Sequence, residues 1–488
     1  MKNYFSYKES SYFTLNKIFF LIFLGFISSI VLSNYYLVKY DKYGDDGNSH
    51  VMLKDETLRI WHQGAKIVED VKSGKNFFLS GDIVYTKPLP ERLVAIYSLL
   101  SGHEIIDEWK PNIKIKLGGK LPFLIIQSLV YYLALVYLVL KISKIFPIEN
   151  CFYIVFFLAF EHTIFQYHSS FWSESFYFTL QILILGLLFN NSYKISNNLF
   201  IGMLVSILFL QRSVAIIYLM PIIIYFIFSF KSKSIKPIIA SVIGYSLIVF
   251  LVGIYNYKKI DVFYIYPTEG KLVVYNSFST PLLALKEKIS ETEVKKKEVQ
   301  KIYKWLKDNN IKLGDGFDLD KAFDISYLIE FIKNEKDKVK FYDYINKRQY
   351  KIIFENPLIT TKLAITRAIH FIVLDPTHNY YYNEHRGQNK KPIFIKSKAH
   401  KKWIPYRIIY TLLIYFVCFF GLIYLFKQKN YQLLLLLLLS ILYYIILFGW
   451  SGITRVYVPG LIYLSFFFGN GLVLLMNLLK KNNSFINN

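Results

Sequence analysis

Cysteine is nearly absent: Cys151 and Cys418 are the only two in 488 residues, and both lie in apolar runs. That excludes a disulfide framework and a thiolate zinc site. Carboxylates are scarce as well, 34 against 58 Lys and Arg, which leaves a net charge of +24. Such a surplus invites a nucleic-acid partner. The basic residues, however, sit largely between apolar runs and in one long loop, where they serve membrane topology and attraction to anionic lipid. No nucleic-acid partner is expected. The histidines show no metal-ligand spacing, and Asp315, Asp318 and Asp320 lack the closing Glu of a calcium loop. The first apolar run has a basic flank, but Ser33-Asn34-Tyr35-Tyr36 offers no small-x-small cleavage site. It reads as a retained anchor.

What is abundant is apolar surface: 54% of the residues are hydrophobic and 18% aromatic. Several uninterrupted runs are long enough to cross a bilayer, so the expected fold class is an all-α polytopic membrane protein. Runs at 18–32, 121–140, 151–165, 171–189, 199–230 (broken at Gln211-Arg212), 237–255, 403–426, 431–450 and 458–479 give about ten transmembrane helices. Placing the short Lys clusters inside puts both termini in the cytoplasm and both long loops outside.

The expected organisation has three parts. Residues 1–257 form an N-terminal transmembrane core that includes a first external loop, 35–120. Residues 258–402 form an external loop with a small cap and an interfacial helix at 356–373. Residues 403–488 return to the membrane. In the first loop, Leu58, Trp61, Ala65 and Val68 recur at helical spacing. A second stretch, Pro88 to Leu100, places Leu93, Ile96, Tyr97 and Leu100 on one side and stops at Gly102. Both are too short and charged to span, and the membrane interface suits them. The basic run Lys286 to Lys307 has helical spacing without a strong apolar face, which predicts a surface helix.

With this topology several ionisable residues gather at external span ends. Asp45 and Asp46 follow the first span, Glu161, His162 and His168 close the third, and Ser173-Glu174 open the fourth. Arg212 sits at the break in the long run and Arg455 precedes the last span. Ionisable groups at such depth are costly and mark candidate sites. A carboxylate can deprotonate an acceptor hydroxyl, and the guanidinium fork matches phosphate geometry.

Four segments in order resemble the GT-C superfamily of polytopic glycosyltransferases. The relevant branch holds bacterial lipid-A and lipopolysaccharide sugar transferases and protein O-mannosyltransferases. Asp45-Asp46 stands where that family has an acidic motif in its first external loop, and Ser173-Glu174-Ser175-Phe176 resembles its Ser-Glu-Pro-Leu segment. Gly202 through Leu210-Gln211-Arg212-Ser213 resembles a Gly-rich helix ending in Leu-Thr-Arg-Pro. Thr454-Arg455-Val456-Tyr457-Val458-Pro459 resembles Ala-Arg-Tyr-x-x-Pro. Lys87-Pro88-Leu89 fits the first loop. Ser49 or His50 replaces a tyrosine often found after the acidic motif, and Ser213 replaces a proline.

The resemblance implies a GT-C core, a polyprenyl-phosphate sugar donor and inversion at the anomeric carbon. Asp45 or Asp46 would be the base. Glu174, Arg212, Arg455, His50 and Lys87 would bind substrate, with the arginines facing the departing phosphate. No nucleotide-sugar site is evident and no cofactor is expected; nothing requires a metal, though some relatives use one. Expected partners are the lipid-linked donor, a lipid, glycan or protein acceptor and membrane lipids, in the bacterial inner membrane. Two rivals remain: an O-antigen polymerase or ligase, which would rely on external arginines and histidine, and a transporter, which would need polar breaks near the bilayer midplane.

Overall fold

A computed structural model describes residues 13–42, 56–77, 80–81, 88–102, 120–168, 174–189, 194–265, 272, 274–322, 325–373, 398–451 and 458–486. Among them there is no β-strand, only an isolated bridge between Leu313 and Ile332.

Among the described residues, six segments are long and apolar enough to cross a membrane. In chain order the helices are α1 (Leu15–Lys42), α2 (Glu56–Lys72), α3 (Pro88–Ser101), α4 (Lys120–Ile142), α5 (Ile148–Phe160), α6 (His162–His168), α7 (Glu174–Phe189), α8 (Ile195–Gln211), α9 (Leu219–Phe230) and α10 (Ile235–Ile260). The long apolar segments lie in α1, α4, α9 with its preceding turn, α10, and two later helices; α5, α7 and α8 are shorter and equally apolar. The chain is an integral membrane protein. After α10 come α11 (Thr280–Glu287), α12 (Glu291–Asp308), α13 (Ile325–Glu330), α14 (Glu335–Glu355) and α15 (Pro357–Val373). The C-terminal helices are α16 (Lys398–Lys427), α17 (Tyr431–Ser451) and α18 (Leu461–Ile486).

One hydrophobic core joins α1, α4 to α9 and α16 to α18. Its axis is the last span: Val458–Lys480 is 78% buried along its most apolar stretch, against 22% for Leu15–Tyr35 and for Ile235–Ile260. The axis is held by polar contacts inside apolar surroundings, where a hydrogen bond has no water to compete with it. Asn150 of α5 donates to Asn470 of α18 at 2.7 Å. Two helix crossings are backbone-close because a glycine lies at each contact. A Cβ on Gly202 would sit 1.9 Å from the Ser241 carbonyl, and one on Gly421 1.8 Å from the Phe467 carbonyl. Gly202 therefore has a packing reason to be there.

α8 and α10 run the same way: Gly202 faces Ser241, and farther along Phe209 lies against Tyr245, whose hydroxyl donates to the Ile216 carbonyl. Beyond that level α10 continues to Ile260. There the chain leaves the bundle and builds a second core from α11 to α15. A capping box of Ser290 and Glu293 starts α12. Contrary to the sequence expectation, α12 is more than a surface helix. It buries Val294, Val299, Ile302 and Leu306 against the rest of the cap, on the face opposite exposed Lys296, Lys297 and Lys304. Lys333 holds Asp315 at 3.0 Å, and Asp318 accepts from the Asp320 amide, an ordinary turn.

The helices of the first loop form a hairpin, α2 against α3. The side of α3 packed on the protein is Val94, Ala95, Tyr97 and Ser98; of the side picked out by spacing, Tyr97 is buried while Ile96 and Leu100 are exposed. Gly64 on α2 decides the matter, because a Cβ there would stand 2.7 Å from Val94 Cγ1. Its absence lets the two helices close on that face. Arg92 donates to the Tyr255 hydroxyl at 2.7 Å and Lys259 to the Gly81 carbonyl, so the hairpin sits at the end of α10 from which the cap departs.

Candidate functional site

Glu174 is the first residue of α7, where a carboxylate complements the positive end of the helix dipole. Arg212 is the first residue past α8; its backbone is extended and its amide still reaches the Leu208 carbonyl at 3.0 Å. The chain then makes a 3-10 turn, Ser213–Ala215, before α9. The apolar run expected to be broken at Gln211-Arg212 breaks there.

These two helix ends meet. Arg212 Nη1 donates to Glu174 Oε1 in an ion pair whose side chains are 9% and 0% exposed. α7 and α8 contain 16 and 17 residues, about 24–26 Å at 1.5 Å per residue. A hydrocarbon layer is about 30 Å thick, so the pair lies near one boundary of the apolar layer. Neither member tolerates that depth alone.

Below the pair is a ladder of neutral polar groups on α7. One turn in, the Tyr177 and Tyr444 hydroxyls are 2.8 Å apart. Another turn in, Gln181 Nε2 lies 2.9 Å from the Tyr444 hydroxyl, 3.3 Å from that of Tyr463 and 3.4 Å from the Pro459 carbonyl. Tyr218, just after the Arg212 break, bonds the Tyr463 hydroxyl, and Tyr443 donates to the Val214 carbonyl. Two of the four segments singled out in the sequence thus meet, 174–176 and 211–213, while the end of 454–459 reaches α7 two turns further in, at Gln181. Sequence reasoning missed the tyrosines and Gln181. A lone amide in an otherwise apolar span and the Tyr443-Tyr444 doublet were the available signals.

Above α7 lies the hairpin. Phe176 packs on Phe123 of α4 at 6.1 Å, and Phe123 in turn meets Trp61 of α2 at 6.3 Å and Tyr97 of α3 at 5.4 Å. The first loop is therefore fastened two residues from Glu174. Asp45, Asp46, His50, Lys87 and Arg455 lie outside the described residues.

Glu161 belongs to a different joint. It separates α5 from α6 and accepts from the amides of Thr163 at 3.0 Å and Ile164 at 2.9 Å. His162 Nδ1 is 3.0 Å away and the Tyr410 hydroxyl 3.5 Å. It fastens a helix break to α16. Among the described residues no three His, Cys, Asp or Glu side chains gather as a metal site would need.

What the pair can do follows from its charge. Arg212 is neutralised by Glu174, so an arriving phosphate would share the guanidinium with the carboxylate. The guanidinium has five donors, enough to serve both. No known protein family, curated protein or solved structure matches the chain.

Proposed function

We propose that this protein is a membrane glycosyltransferase that moves a sugar from a polyprenyl-phosphate donor to a lipid, glycan or protein acceptor. One observation carries the reading: Glu174 and Arg212, from separate segments of the chain, meet in a buried pair under a hairpin that follows Asp45-Asp46 in the chain. In this reading the six long apolar helices and the shorter α5, α7, α8 and α17 make about ten crossings. The hairpin and cap face the outside of a bacterial inner membrane, and both termini face the cytoplasm.

The chemistry is a single displacement. Asp45 or Asp46 takes the proton of an acceptor hydroxyl, whose oxygen attacks the anomeric carbon with inversion. The carbon–oxygen bond to phosphate breaks, and polyprenyl phosphate departs toward Arg212 and Arg455. Glu174 holds Arg212 in place and keeps its fork oriented between substrates. His50 and Lys87 contribute to binding.

The test is transfer from a polyprenyl-phosphate sugar in membranes carrying Asp45→Asn or Asp46→Asn. The variant lacking the base should transfer about 10²–10⁴-fold more slowly at normal insertion. Both variants transferring at wild-type rates would end this reading. A second reading is a transporter, favoured by the polar ladder of Gln181 and the tyrosines inside the bundle. It predicts that donor crosses the membrane with its sugar–phosphate bond intact.

A further inference from the structure

Among the described side chains, the three most exposed large apolar residues are not on the long membrane-crossing helices. They are Leu358 at 85%, Leu100 at 83% and Phe354 at 76%, whereas the highest value on a crossing helix is 64%, at Leu479. Leu100 lies in the last turn of α3 beside exposed Ile96 and Leu99. Phe354 and Leu358 flank the joint between α14 and α15, with Tyr350 one turn before and Ile365 two turns after. In a molecule already surrounded by lipid, two such patches ask for lipid as well.

Both elements are apolar on two sides. The inner side of α3 is packed on α2, and α14 buries Val339, Phe341, Tyr342, Ile345, Ile352 and Ile353 in the cap core. The exposed residues are therefore surplus to folding. α2, by contrast, was expected to lie in the interface with α3; it shows no large exposed apolar side chain among those described and turns Trp61, Ala65 and Val68 inward.

The two patches occupy the same end of the bundle. Arg92 of α3 bonds Tyr255 near the end of α10, and Lys336 of α14 pairs at 3.1 Å with Asp261, which closes α10. α15 packs along α17 of the bundle. Beside Phe354 and Leu358 stand exposed Lys351 and Lys362. Lys351 is 3.8 Å from Glu355, a surface pair too weak to withhold it from another anion.

We infer that α3 and the α14–α15 joint are two feet by which the hairpin and the cap rest in the headgroup–acyl boundary of the bilayer, with Lys351 and Lys362 engaging anionic headgroups. Apolar side chains flanked by lysines are what that boundary accepts. The inference is independent of the glycosyl-transfer reading. It assigns Phe354, Leu358 and Leu100 to lipid and sets the cap at a fixed height over the membrane.

The experiment uses the full chain in nanodiscs, with nitroxide-labelled cysteines placed singly at Leu100, Phe354 and, as a water-facing reference, Lys304. Both native cysteines are buried. Collisions with oxygen and with a nickel chelate are compared. At 100 and 354 the balance should shift toward oxygen, and at 304 toward nickel. A nickel-dominated label at 354 overturns the docking of the cap, and one at 100 overturns that of the hairpin. A 354 signal that changes on dilution of the protein would instead mean a second copy covers the patch. The lipid arm compares phosphatidylglycerol with phosphatidylcholine discs: label 354 should sit deeper in the anionic discs, and K351Q with K362Q should remove the difference. Equal depth in both lipids overturns the role given to the lysines.

Discussion

Two glutamate–arginine pairs among the described residues have a buried carboxylate, Glu174 with Arg212 and Glu298 with half-buried Arg348, and they are built differently. In the cap, Glu298 of α12 and Arg348 of α14 meet mid-helix through two parallel bonds of 2.6 and 2.7 Å. Lys301 adds a third contact to that carboxylate at 3.0 Å, and the Tyr275 hydroxyl donates to it from a π-helical turn. Every element around Glu298 is pinned by it. In the bundle, Glu174 and Arg212 stand at helix ends, each placed to suit a helix dipole and each next to a change of chain direction. A mid-helix pair can only hold shape. A pair at two chain breaks can shift its partners when a ligand arrives, without unwinding a helix.

The largest test of this difference removes the charges in pairs. Alone, Arg212→Met should cost about 3–5 kcal/mol, because it takes the guanidinium from a buried carboxylate, and Arg348→Met should cost less, because Glu298 keeps Lys301 and Tyr275. Replacing the whole cap cluster (Glu298→Leu, Arg348→Met, Tyr275→Phe) should restore stability and leave sugar transfer intact. Glu174→Leu with Arg212→Met should likewise restore folding and yet transfer nothing. Thermal unfolding in detergent beside a transfer assay reads both. Retained transfer in the double variant would make the bundle pair as structural as the clamp.

A smaller effect separates the pairs by acid. Burial alone would raise the pKa of Glu298, but hydrogen bonds from Arg348 and Tyr275 and the Arg348 charge outweigh it and hold the carboxyl below its ordinary value. A depressed carboxyl stabilises the fold above its unfolded-state pKa. That contribution fades as pH falls from the ordinary glutamate range, about 4.3, through the lower folded value. Limited proteolysis should therefore open the cap on acidification, and Glu298→Gln should be less stable at neutral pH with a flatter acid limb. An unchanged acid limb in that variant would place the sensitivity elsewhere.

The smallest effect compares hydroxyls. Tyr275 serves an ionised carboxylate, so Tyr275→Phe should cost about 1.5–3 kcal/mol. Tyr177 and Tyr444 share a neutral bond, and Tyr177→Phe should cost about 0.5–1.5 kcal/mol. Reversed magnitudes in paired melting curves would mean that the bundle ladder, not the clamp, is the tighter polar network.

The long spans and the break at Gln211-Arg212 were legible because an apolar run interrupted by an arginine is a local signal. Glu174 and Arg212 were legible as candidates for the same reason. Their pairing was not, since 38 residues separate them and nothing local couples the two. The tyrosine ladder hid inside the spans, where tyrosine reads as one more apolar residue. The core face of α12 hid differently: Val294, Val299, Ile302 and Leu306 are spread among lysines that dominate any average over the helix. For α3 the sequence showed one apolar side, and the packing of Val94 against α2 was not legible because it depends on Gly64 of another helix.

The bond between Asn150 and Asn470 also sets a clock. Its partners are 320 residues apart. A ribosome adding roughly 5–20 residues per second needs about 16–64 s to cover that interval. Throughout it α5 is made and the central helix of its bundle is not, so Asn150 must find another hydrogen-bond partner or stay near water. Gln181 waits almost as long for the Pro459 carbonyl. The early helices therefore spend their first tens of seconds without the central helix on which they pack.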